Sequence, residues 1–110
     1  MLSNNKIARA RSTDEYVDMI NQAIDEVFDL RQAIEFDEEF ISDGRAVVDQ
    51  LEQNLKDIYA SMKDGSYEFA TGDLPYVALL ENYRESLIPF KYLLKRINET
   101  HNRGLDISES

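Results

Sequence analysis

The densest group of side chains that could do chemistry is Ile34–Gly44, IEFDEEFISDG, in which Glu35, Asp37, Glu38, Glu39 and Asp43 surround Phe36 and Phe40. Clustered carboxylate oxygens are what a hard cation such as calcium takes as ligands. An EF-hand loop needs oxygen donors at positions 1, 3 and 5, glycine at 6 and glutamate at 12. With Gly44 at position 6, Ile41 falls at position 3 and Gln50 at position 12, so the spacing excludes that loop. Two readings stay open: a looser, weak carboxylate site from Asp37, Glu38, Glu39 and Asp43, or an acid-rich helix start that binds no ion.

Catalytic constellations fare worse. His101 is the single histidine, whereas a di-iron bundle needs a Glu-x-x-His pair on each of two helices. Glu99 is only two residues from His101, which on a helix puts it off the same face. No serine sits in a strained G-x-S-x-G turn, and the four glycines are isolated, so neither a nucleophile elbow nor a phosphate-cradling loop is present. Cysteine is absent, which removes disulfides, thiolate metal sites and cysteine nucleophiles. The sequence therefore assigns no catalytic, cofactor-binding or metal-ligating residue, and the expected function is not enzymatic. His101 reads as a last-turn residue facing the negative end of a helix.

Binding chemistry is better represented. Residues 66–73, SYEFATGD, form an aromatic loop, and Tyr67, Phe69 and nearby Tyr76 lie among Gly65, Gly72 and Pro75. Tyrosine offers a large contact area with a polar handle, which interfaces favour; the competing role is a plug folded onto the end of the domain. Asp14, Asp18, Asp25 and Asp29 form a second candidate partner surface. A third group is basic, Arg84, Lys91, Lys95, Arg96 and Arg103, and it is expected to lie beside the acidic helices and neutralise them. No interleaving of aromatic and basic residues suits base stacking.

The charge is segregated along the chain. Residues 1–13 carry Lys6, Arg9 and Arg11 and no acid; residues 14–73 hold 17 acids against four bases, net −13; residues 74–110 balance five with five. The total of −10 disfavours binding along a nucleic-acid backbone or an anionic membrane and favours a basic partner. No segment approaches the roughly 18 apolar residues of a membrane span, and the basic, acid-free N-terminus lacks the apolar run of a secretory signal. The alternative of a short organelle transit peptide aside, the expected compartment is the cytoplasm.

These side chains must be positioned by helices. At 110 residues, with 43% hydrophobic content, the chain is one domain able to bury a single core. Ser12-Thr13-Asp14-Glu15 is a capping box, followed by Ile20, Ala23, Val27, Leu30 and Ile34 in steps of three and four. Ile41, Val48, Leu51, Leu55, Ile58 and Met62 make a second stripe, stopped by Gly65. Asp73 and Pro75 suit the start of a third helix, whose stripe runs through Tyr76, Leu80, Tyr83, Leu87, Phe90, Leu94, Ile97 and His101 to a stop at Gly104.

The predicted fold is all-α, an antiparallel three-helix bundle with helices at about 13–36, 38–64 and 74–103, the third bent at Pro89. Residues 1–12 are expected to be a flexible basic segment, 13–104 the helical domain and 105–110 a flexible tail. Between the first two helices, Asp37 can cap a new helix with Phe36 and Ile41 as a hydrophobic staple. The alternatives are a turn at Asp43-Gly44 or one helix running straight through. Function is expected to be protein–protein interaction, as an adaptor or regulator, with homodimerisation through spare apolar surface as a further option. An acidic mimic of nucleic acid that occupies a basic partner is the alternative, and a carboxylate-rich metal-binding protein the weaker one.

Overall fold

The computed structural model describes residues 7–35, 41–70, 72–82 and 88–107, and every regular element among them is helical. The four helices are α1 (Thr13–Glu35), α2 (Ile41–Asp64), α3 (Val77–Asn82) and α4 (Lys91–Arg103). No helix among the described residues is long and apolar enough to cross a membrane.

Local signals set most of the ends. Ser12 Oγ accepts the Glu15 amide at 3.0 Å, one half of the capping box. The reciprocal half differs from expectation: the Glu15 carboxylate takes the Arg11 amide rather than that of Ser12. At the end of α2, Gly65 adopts φ +82°, and the Ser66 amide reaches back to Ser61 O at 2.9 Å, closing a Schellman cap that a β-carbon would strain. Gly104, also at φ +82°, returns its amide to Thr100 O and stops α4.

α1 and α2 pack antiparallel. Arg31 near the end of α1 reaches Asp49 at 2.9 Å and Glu52 at 2.5 Å in the first half of α2. In an uninterrupted helix residues 31 and 49 would stand about 27 Å apart, so one helix through both segments is excluded. Ser42, Asp43 and Gly44 lie within α2, which also excludes a turn there. The cap and staple at Phe36 and Asp37 lie outside the described residues.

The expected third helix is two helices. Gly72 N donates to Asn102 Oδ1, Leu74 N to Asn98 Oδ1 at 2.8 Å, and Tyr76 Oη to Leu94 O at 2.6 Å. These pairs run in opposite directions along the chain, so the segment leading into α3 lies back along α4. A single helix would separate Leu74 from Asn98 by about 36 Å. Ile88–Phe90, flanking Pro89, is not helical. Proline removes a backbone donor, crowds the carbonyl four residues earlier and pushes its predecessor out of the helical region, and here the result is a break rather than a bend. Asp73 is not the N-cap of α3, which begins four residues later at Val77; its Oδ1 instead accepts from Asn98 and Asn102 of α4.

The helices pack in the order α2, α1, α4, α3, giving a slab 49 × 41 × 21 Å whose thickness matches two helix diameters. Its core holds Ile20, Ala23, Val27 and Ile34 from α1, Val48, Leu51, Leu55 and Ile58 from α2, and Leu80, Phe90, Leu94 and Ile97. Tyr16, Met19, Val47 and Ala10 join them. Ala10 belongs to the segment expected to be flexible, yet it is fully buried and its amide donates to Thr100 Oγ1 at 2.9 Å. Arg96 Nε binds Ala8 O, Arg9 Nη1 binds Arg103 O, and Asp106 N binds Ala10 O, so residues 8–10 are strapped along α4 and its C-terminal extension.

Candidate functional site

The four aspartates of α1 form one ridge. Each residue advances about 100° around a helix, which places Asp14, Asp18, Asp25 and Asp29 within about 60° of one another, opposite Ile20, Ala23 and Val27. The core side is fully buried and all four aspartates are exposed. The ridge spans about 22 Å. None of the four makes an ion pair among the described residues, and Arg31, the one base of α1, points to α2 instead.

Arg31 is fixed by its own chemistry. Its hydrogen bond to Asp49 raises its pKa above the usual guanidinium value, and the bonds from Lys56 and Arg31 hold the Glu52 carboxyl below the usual range. Two of the bases expected to neutralise the acidic helices are engaged elsewhere. Arg96 is spent on Ala8 O, and Arg103 pairs with Glu99 one turn back on its own helix. Arg84 lies outside the described residues.

The aromatic loop folds onto the end of the domain. Phe69 stacks on Tyr16 with centroids 5.8 Å apart and planes 21° apart, and it meets Tyr67 edge-on at 5.2 Å. The Tyr67 hydroxyl stands 2.8 Å from that of Tyr16 and 2.6 Å from His101 Nδ1. Three elements are thereby tied in one polar chain: α1 through Tyr16, the loop through Tyr67, and α4 through His101. Burial, reinforced by the bond to Tyr67, pushes the Tyr16 hydroxyl far up, and burial also raises Tyr67 and lowers His101. At neutral pH the two hydroxyls are protonated and the imidazole is neutral, and its Nδ1 accepts from Tyr67 in the Nε2–H tautomer. Two cavities among the described residues, one beside Arg31, Ile34 and Val48 and one beside Val77, Leu80 and Lys95, lie away from Tyr16, Tyr67 and His101.

The sequence-derived partner residues therefore separate. Asp14, Asp18, Asp25 and Asp29 are together and exposed. Phe69 is 44% exposed, Tyr67 is half-buried in the polar chain, and Tyr76 is fully buried with its hydroxyl on Leu94 O. Tyr76 is a core residue and cannot meet a partner: a ring at a seam position ahead of α3 is held down once α3 lies along α4. The Tyr67–His101 pair was beyond sequence reasoning, since 34 residues separate its members and only the fold-back of α4 brings them together. Tyr16 had a signal, because it stands four residues before Ile20 on the same stripe.

Among the described residues no group of three or more acids or histidines could hold a metal ion, and the looser carboxylate set at Asp37, Glu38, Glu39 and Asp43 lies outside the described side chains. In comparisons with known proteins, no protein family, no curated protein and no solved structure matches this chain.

Proposed function

We propose that the protein is a cytoplasmic, non-enzymatic interaction module, an adaptor or regulator that binds a basic protein partner through the outer ridge of α1. The observation that carries this reading is the ridge itself, four exposed aspartates without a counter-ion among the described residues. Asp14 with Asp18 and Asp25 with Asp29 are like-charged neighbours four residues apart, each pair costing the helix about 0.2–0.5 kcal/mol, offset in part for Asp14 by the positive helix start. A lysine- or arginine-rich surface laid along the ridge relieves that repulsion and adds attraction that also steers encounter.

The test is a combined variant, Asp14→Asn, Asp18→Asn, Asp25→Asn and Asp29→Asn, which keeps size and polarity while removing four charges. Its circular dichroism matches the parent, and proteins captured by the parent from native lysate at low salt are lost. Capture that survives in the variant, or that ignores salt, sinks the proposal and leaves the ridge a solubilising face. Mimicry of nucleic acid is a special case of the same reading. It is supported by the single ridge, with steps of about 6, 10 and 6 Å between neighbouring aspartates, and it predicts that duplex DNA competes with this protein for the captured partner.

A further inference from the structure

In the Nε2–H tautomer of His101, the two short contacts of Tyr16, Tyr67 and His101 run in one direction: Tyr16 Oη donates to Tyr67 across 2.8 Å, and Tyr67 Oη donates to Nδ1 of His101 across 2.6 Å. The loop hangs from this chain: Ala70 N donates to His101 O at 3.2 Å, and Phe69 packs on both tyrosine rings. We propose that protonation of His101 releases the loop Ser66–Ala70, making it an arm that opens under mildly acidic conditions and uncovers Tyr16, Tyr67 and Phe69.

A proton on Nδ1 converts the ring from acceptor to donor, so both hydroxyls must turn around. The last proton, on Tyr16, is then left with Ile97 O at 3.4 Å, a long contact to a carbonyl inside the ladder of α4. Among the described residues the new cation finds no carboxylate and His101 makes no ion pair; α1 faces it with Tyr16 and the loop with Tyr67, beside exposed Glu68. On its own helix Glu99 is tied to Arg103. From the N-terminal strap comes Arg9, whose guanidinium lies on Arg103 O and Gly104 O and beside Asp106. The negative end of α4 would favour a cationic imidazole, but Arg9 already occupies those carbonyls. Burial lowers the His101 pKa in agreement with this balance. The unfolded chain then binds the proton more readily than the folded one, so the loss sets in as pH falls below the ordinary histidine value near 6.5.

Hydrogen exchange followed by mass spectrometry reads the loop directly, with rates corrected for the intrinsic effect of pH. Protection of the Tyr67–Ala70 amides in the parent falls severalfold between neutral pH and pH about 5, just over one unit below the ordinary histidine value. In His101→Gln, whose side-chain oxygen accepts from Tyr67 without titrating, protection does not change with pH. In Tyr67→Phe the chain is cut, so protection is low at both pH values. Protection that is independent of pH in the parent overturns the proposal, as does an equal loss in His101→Gln. Should His101→Gln fail to fold, Tyr67→Phe decides: a pH-dependent loss that persists there does not come from the Tyr67–His101 bond.

Discussion

Replacing Thr100 by valine probes the docking of the N-terminal strap. Thr100 is fully buried, its Oγ1 accepting the Ala10 amide at 2.9 Å and donating to Arg96 O at 2.9 Å. Valine has nearly the same shape, so no cavity opens, but the Ala10 amide, itself fully buried, keeps no acceptor. A stranded buried donor costs about 1–3 kcal/mol, whereas the Arg96 carbonyl retains its place in the helix ladder. The expected loss is about 2 kcal/mol, and at this length it lowers the melting temperature by roughly 8 °C. Urea unfolding followed by far-UV circular dichroism measures it, with Thr100→Ser as control. Serine keeps the hydroxyl and gives up one methyl, worth about 0.8 kcal/mol, so valine must cost more than serine. Valine within about 0.5 kcal/mol of the parent, or less harmful than serine, refutes the strap, because an exposed amide would find water instead.

Three further outcomes follow from the same geometry. Gly65→Ala forces a β-carbon into a left-handed conformation and lowers stability by about 1–2 kcal/mol in the same urea assay. Arg31→Ala costs at most about 1 kcal/mol, because the ion pairs are partly exposed and screened, and most of that loss disappears in 1 M salt. The Glu52 carboxyl is held below its usual pKa, so its share of stability is present above the ordinary glutamate value and is lost as pH falls below it; Glu52→Gln flattens that limb of the pH–stability curve.

Elements defined by neighbouring residues were legible in the sequence. Ser12 with Glu15, Gly65 and Gly104 act through local backbone bonds, so the start of α1 and the ends of α2 and α4 could be placed from residue types alone. The apolar stripes named most of the core, and the aspartate ridge was legible because it is the other side of the α1 stripe.

Chain direction was not legible. The heptad spacing from Tyr76 to His101 holds phase across Pro89, and periodicity reports which face is apolar, not whether the chain has turned back. Once it turns, Tyr76 packs under α4 and His101 meets Tyr67. Ala10 and Thr100 were missed for another reason: a small residue and a hydroxyl carry no hydrophobic signature, and their burial depends on a bond between residues 90 apart.

The claim that the α1 ridge is the binding surface is tested most directly by nuclear magnetic resonance of the isotope-labelled protein, titrated with its captured partner. The account predicts that amide shifts concentrate at Asp14, Asp18, Asp25 and Asp29 and at the residues between them on the outer side of α1, and that they fade as salt is raised. A footprint on α4 or on the Tyr67–Phe69 loop, with the α1 ridge unshifted, would contradict it.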